Sequence, residues 1–131
     1  MKTQVLVVST VERRQRLLPV LERNELEISV ASSLEEARQK LSGSTPYDLL
    51  LVDAEQSDGS WMDLLQFVEN EGKSCEVIVF ARCGDERLWA EVLQSGAHDL
   101  LVEPYEQQDV PRVIEGALQN QSTRSERNAR Q

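Results

Sequence analysis

Three observations predict a single α/β domain built on a five-stranded parallel sheet. The runs Val5 to Val8, Leu49 to Val52 and Val77 to Phe80 are apolar on both faces, the pattern of central strands covered by helices on either side. Amphipathic or capped segments alternate with the strands, which implies right-handed crossovers. A fourth run, Glu27 to Ala31, alternates polar and apolar and so suits a sheet edge. With 131 residues and 40% hydrophobic content, the chain can bury one core and is short of two.

Each element has a local reason. The first strand runs from Gln4 to Val8 and ends at Ser9-Thr10, where Thr10 can cap a helix. Glu12 to Arg23 places Leu17, Leu18 and Leu21 on one stripe and Arg13, Arg14, Arg16 and Glu22 outside it; Pro19 should kink this helix or split it. After the Glu27 strand, Ser33 stands three residues before Glu36 in capping-box spacing, and Leu34, Ala37 and Leu41 give the next helix its apolar face before Gly43 stops it. Tyr47 to Asp53 is the third strand, and it ends abruptly on a carboxylate. Trp61 to Asn70 carries Leu64, Leu65 and Val68 at helical spacing.

The fourth strand, Val77 to Phe80, leads through Ala81-Arg82 and the loop Cys83-Gly84-Asp85 into a helix from Glu86 to Ser95. Ala90 and Leu93 are its expected core contacts, and Gly96 its C-terminal cap. Leu100 to Val102 is a short fifth strand ending at Glu103-Pro104. Asp109 to Leu118 forms the last helix, with Pro111 in its first turn and Val110, Val113, Ile114 and Ala117 inward. The domain is therefore expected over residues 1–119. Residues 120–131 have almost no apolar content and are expected to be a disordered tail or linker.

Composition excludes several function classes. Of the chain's 14 bases and 23 acids, the stretch from Gln119 onward takes three and one, so the body holds 11 bases and 22 acids. Such a body repels phosphate backbones, and no nucleic-acid binding by this domain is expected. No run approaches the ~20 apolar residues of a membrane span, which predicts a cytoplasmic protein with no membrane partner. Cys75 and Cys83 flank an extended strand and stand ~20 Å apart, too far for a disulfide. His98 is the only histidine and is expected on a surface loop.

The central and edge patterns together fit a flavodoxin-like doubly wound sheet of order 2-1-3-4-5. Its crevice lies at the carboxyl ends of the strands, where Ser9, Thr10, Asp53, Ala81 and Glu103 should converge. Ser9-Thr10-Val11-Glu12 lacks the glycine that wraps a flavin phosphate, which counts against a flavodoxin.

Over about residues 3–119 the chain resembles the receiver domain of bacterial two-component response regulators. The resemblance is carried by the apolar strand ending on Asp53, the Ala-Arg-Cys-Gly-Asp-Glu loop, the Gln-Ser-Gly-Ala-His-Asp segment and Pro104 followed by Tyr105. It implies that Asp53 stands at the position that accepts a phosphoryl group from a histidine kinase. It further implies that Ser9-Thr10 stand where an acidic pair binds Mg²⁺, Ala81 where a hydroxyl residue meets the phosphoryl group, and Glu103 where a lysine pairs with it. Hydroxyls in place of both acids weaken Mg²⁺ binding. Glu103 repels a phosphoryl group, by ~4 kcal/mol per unit pair at ~4 Å and an effective dielectric near ~20.

These departures predict a signalling module that acts by protein–protein contact, without conventional aspartyl phosphorylation, enzymatic activity or cofactor. Its partner would be a histidine kinase or an output protein, or a second copy in a homodimer. One alternative is a phosphoacceptor with unusual Mg²⁺ ligation, drawing on Glu12, Glu55 or Asp58; another is a degenerate crevice that binds a small molecule such as a quinone or nucleotide. Arg82 can pair with Glu103 or Asp53 and fix the crevice in one state. Asp53 and Glu103, if buried and unpaired, would force one of them to hold its proton. The resemblance places the interaction face on the helix after strand four, strand five and the last helix, here Leu88, Trp89, Tyr105 and Arg112.

Overall fold

The computed structural model describes residues 3–22, 25–56, 58–106 and 108–130. Five strands form one parallel sheet: β1 Thr3–Val8, β2 Leu26–Ala31, β3 Leu49–Asp53, β4 Glu76–Ala81 and β5 Asp99–Val102, in the order β2-β1-β3-β4-β5. The alternating Glu27 strand is at one edge, as its half-exposed pattern requires, and β1, β3 and β4 are central.

Side chains of the central strands point alternately to the two faces, so each face has its own core. Leu6, Val8, Leu50, Val52, Val77 and Val79 pack against α3 Leu34–Leu41, α4 Trp61–Asn70 and α5 Glu86–Ser95. Val5, Val7, Leu49, Leu51, Ile78 and Phe80 meet Leu17, Leu21 and the inner stripe Val110, Ile114 and Ala117 of α6 Asp109–Arg130. Burial on both sheet faces is what the unbroken apolar runs demand.

The helix expected over Glu12 to Arg23 is split into α1 Val11–Arg14 and α2 Leu18–Leu21. Pro19 lies in the first turn of α2, where its missing N–H leaves no intrahelical bond unmade. Ser33 Oγ accepts from the N–H of Glu36 at 3.0 Å, as the capping-box spacing predicts, while the Glu36 carboxylate accepts at 3.0 Å from the N–H of Ser32, one residue before the cap, instead of from that of Ser33. Asp85 caps α5 by accepting from Leu88 N–H at 2.8 Å, and Gly96 ends it at φ 94°, a left-handed conformation that glycine adopts without cost.

Two expectations are corrected and a third refined. On α5 the buried residue is Val92, with Leu88 half-buried beside the core; Ala90 and Leu93 point to solvent, so the helix is rotated from the expected phase. The last helix does not end at Leu118 but continues to Arg130, through the stretch expected as a disordered tail or linker. No glycine or proline interrupts the sequence after Gly116, so helix propagation meets no stop. His98 lies on the loop before β5, as expected, but is partly buried there: its backbone N–H donates to Val77 O at 2.7 Å, and its Nδ1 lies 2.9 Å from Asn120 Nδ2 of α6. Cys75 and Cys83 are free thiols. Among the described residues no helix is long and apolar enough to cross a membrane.

Candidate functional site

β3 carries Asp53 to the carboxyl edge of the sheet and buries it there, with its side chain 1% exposed. A carboxylate so withdrawn from water needs a charge partner or several donors. One donor is local: Oδ1 accepts from Glu55 N–H at 2.8 Å, an Asx-type turn. The rest come from Arg13, a residue that helical periodicity places outside the core stripe.

Arg13 Nε lies 2.8 Å from Asp53 Oδ2, and its Nη2 lies 3.1 Å from Oδ1 and 3.0 Å from Glu55 Oε1. This is a two-pronged guanidinium–carboxylate pair, the strongest ion-pair geometry available to side chains. The hydrogen bond to Asp53 pushes the guanidinium pKa above its ordinary value, against the opposing effect of burial. Arg13 Nη1 is buried with no hydrogen-bond partner among the described residues, so the fork is committed to the acids on one side only.

The rest of the crevice repeats the pattern. Arg16 Nη1 is 3.3 Å from Glu103 Oε2. Arg82 pairs with Glu55 at 3.9 Å and donates its backbone N–H to the same carboxylate at 3.2 Å, so it meets neither of its two expected partners, Glu103 and Asp53. Asp53 is buried but paired with Arg13, and Glu103 is paired with Arg16, so neither acid is both buried and unpaired. Arg14 is buried and donates to Ser9 O at 2.8 Å, which also corrects its expected solvent-facing position. Ser9 is fully buried with its hydroxyl donating to Thr10 O at 3.0 Å, while Thr10 itself is exposed.

Ala81 closes the floor. Its carbonyl accepts from Glu103 N–H at 3.1 Å and from the Tyr105 hydroxyl at 3.3 Å. The Tyr105 ring meets Phe80 edge-on, 6.4 Å between centroids, and burial together with the Glu103 charge raises its hydroxyl pKa. A cavity of about 490 Å³ opens between Arg16, Arg82, Glu103, Pro104 and Tyr105. The acids considered as substitute metal ligands are scattered: Glu55 is held by two arginines, Asp58 accepts from Leu34 N–H at 2.8 Å, and Glu12 is exposed. No three His, Cys, Asp or Glu residues among those described gather as a metal-binding group.

The residues expected on the interaction face differ in exposure. Trp89 is exposed and Tyr105 half-buried, and Arg112 is exposed but paired with Asp109 at 2.7 Å. Leu88 turns inward, and Leu93, 67% exposed, takes its place beside Trp89 on the outer stripe of α5.

Residues 5–115 match the family model of the response regulator receiver domain. The chain belongs to that family. Among curated relatives of this receiver domain, the transcriptional regulatory protein SrrA of Staphylococcus aureus is 32% identical over 127 residues, covering 94% of the chain and 51% of SrrA. The response regulator protein PilR of Pseudomonas aeruginosa is 28% identical over 113 residues, covering 86% of the chain and 25% of PilR. The chain thus spans between a quarter and a half of the length of these relatives. The receiver domain of a putative LuxO repressor protein from Vibrio parahaemolyticus superposes with a TM-score of 0.82 at 20% identity, covering 95% of this chain and 96% of that one. A receiver domain protein from Clostridium thermocellum gives 0.79 at 24% identity, covering 92% and 98%. These structural likenesses bear on the fold alone.

Proposed function

We propose that this receiver domain transmits signals through protein–protein contact without Mg²⁺-dependent phosphorylation of Asp53. The observation that carries the reading is the two-pronged pair between Arg13 and Asp53. A phosphoryl acceptor needs a free carboxylate oxygen and, in this family, a divalent cation beside it. Here both oxygens are engaged by a guanidinium, and the positions of the metal-binding acids hold two hydroxyls, one buried and one turned to solvent. The donor set does not fit Mg²⁺, and the cation at this carboxylate is the protein's own.

Glu103 adds to the same effect, because it pairs with Arg16 and leaves no cation waiting for a phosphate. With Arg13, Arg16 and Arg82 each facing an acid, the crevice is locked by internal charge pairs, which favours a constitutive conformation over a phosphate-driven one. Receiver domains partner histidine kinases and output proteins, and the exposed Trp89 and Leu93 on α5 support such contacts here. On this reading the module has no enzymatic activity and recruits no cofactor.

Incubation with acetyl phosphate and Mg²⁺ followed by intact-mass measurement tests the proposal. The expected result is an unmodified mass. A single phosphate adduct that disappears in Asp53→Asn would overturn it.

A further inference from the structure

The amino-terminal edge of the sheet, at the opposite end from Asp53, holds a pocket of about 270 Å³ between the loops that precede β3 and β4. Ser44, Thr45 and Tyr47 line it from one loop, Lys73 and Ser74 from the other. Local sequence builds both walls. Gly72 follows α4 at φ 64°, its N–H donating to Glu69 O and that of Lys73 to Val68 O, each at 3.1 Å, a turn that reverses the chain and brings Lys73 to the pocket. Pro46 stiffens the facing loop.

The charge of this wall differs from that of the other cavities. Glu103 stands in the walls around Arg16 and Arg82, and Asp99, Glu106 and Asp109 line a groove of about 320 Å³ that runs beside β5 with Trp89 at its margin. The pocket before β3 and β4 has no acid among its described residues, in a chain of net charge −9. Neighbouring carboxylates are engaged elsewhere: Asp48 Oδ2 accepts from Gln4 N–H at 2.9 Å, and Glu76 is buried with its Oε2 4.0 Å from His98. Arg13, Arg16, Arg38, Arg82, Arg87 and Arg112 each face a carboxylate, whereas Lys73, half-buried, pairs with none among the described residues. An ammonium held without a counter-charge keeps its attraction for an anion from outside.

The donors around it have the same character. Among the described residues, the hydroxyls and backbone N–H groups of Ser44, Thr45 and Ser74 donate to no protein acceptor. The carbonyl ends of α3 and α4 point to this edge and oppose an anion, but Arg38 O, Lys40 O, Val68 O and Glu69 O are already taken by capping N–H groups, which leaves Lys73 to set the local sign. A planar carboxylate offers two oxygens; a tetrahedral phosphate offers three and can meet donors from both loops, with lysine as its point charge. The volume lies just below the ~300 Å³ at which ligand clefts begin, room for a phosphate with a few carbon atoms.

We propose that this pocket binds a phosphate group, free or carried on a small hydroxylated molecule, with Lys73 supplying the charge and Ser44, Thr45 and Ser74 donating to the phosphate oxygens. The site is separate from Asp53 and involves no covalent step.

The test titrates the isotope-labelled full chain with glycerol phosphate, inorganic phosphate, acetate and glycerol, and follows amide shifts by two-dimensional NMR. Both phosphates are expected to give saturable shifts centred on residues 43–47 and 72–75, acetate a weaker response and glycerol none. Tighter binding of glycerol phosphate than of inorganic phosphate would identify a phosphoester as the occupant, and equal binding free phosphate. Lys73→Met should weaken binding at least about tenfold, and Thr45→Val and Ser74→Ala roughly threefold each, so the test survives if one variant folds poorly. Lys40→Met, a cation outside the pocket lining, should leave binding unchanged. The absence of saturation, an equal response to acetate, shifts centred on the Asp53 crevice, or equal weakening by Lys40→Met would each overturn the proposal.

Discussion

The crevice at the carboxyl edge of the sheet and the groove beside β5 lie close together and treat polar and apolar surface in opposite ways. In the crevice, Asp53, Glu55 and Glu103 each meet an arginine of the same chain, and the chemistry is closed on itself. On and beside the groove, Trp89 and Leu93 are exposed, and among the described residues Asp99 and Glu106 meet no cation while Asp109 pairs with Arg112. A surface that satisfies its own charges has little left to offer a ligand, whereas one that leaves apolar area and charge uncovered retains free energy for a partner. On the proposed reading, the working surface is on the helices and the charge-paired crevice is a structural lock.

That contrast breaks most readily at Arg13. Removing the guanidinium leaves a buried carboxylate with only the Glu55 N–H, a loss expected to cost about 3 kcal/mol of folding stability. Urea unfolding of Arg13→Ala checks it, and a loss below about 1 kcal/mol would mean that the pair is not a lock.

A paired substitution on α5 sharpens the second half of the comparison. Val92→Ala removes methyl groups from the core and should destabilise by roughly 2 kcal/mol. Trp89→Ala, three residues earlier on the outer side, should change stability by less than about 1 kcal/mol while impairing partner contact. Equal destabilisation by the two in chemical denaturation would show that the indole is core rather than interface.

Tyr105 joins the two regions and gives the smallest effect. Burial first, then the Glu103 charge, raises its hydroxyl pKa above the ordinary 10.0, so the folded protein keeps the phenol neutral at pH values where the unfolded chain ionises. Its contribution is full below about pH 10 and is lost as pH rises further toward the folded value. Tyr105→Phe should therefore unfold with a flatter alkaline limb while losing only the long hydrogen bond to Ala81, worth about 1 kcal/mol or less. Parallel alkaline limbs in the two proteins would count against this.

The sheet was legible because strand signals here are strong and local: doubly apolar runs for β1, β3 and β4, and alternation for β2. Two helical details were not. A helical wheel over Glu12 to Arg23 treats the segment as one helix, but α1 has only four residues, and the turn between α1 and α2 frees Arg13 to point along the crevice. Three arginines at positions 13, 14 and 16, next to a crevice predicted to contain Asp53, Glu55 and Glu103, were the signal that charge balance offered. On α5 two apolar stripes compete, Leu88 with Val92 and Trp89 with Leu93. Periodicity cannot choose between them; burial of Val92, with Leu88 packed on the core, marks the inner stripe. Asp53 was placed correctly, and its partner was not foreseen because the pairing spans 40 residues.

The length of α6 carries a mechanical consequence. Its inward stripe ends near Leu118, yet the backbone remains helical to Arg130, about twelve further residues or ~18 Å at 1.5 Å each. That reach is anchored in the core by Val110, Ile114 and Ala117 alone, so the bearing of its outer turns follows from the number of residues between. Inserting a single residue after Leu118 would turn everything beyond it by ~100°, whereas inserting seven would restore the original bearing to within ~20°.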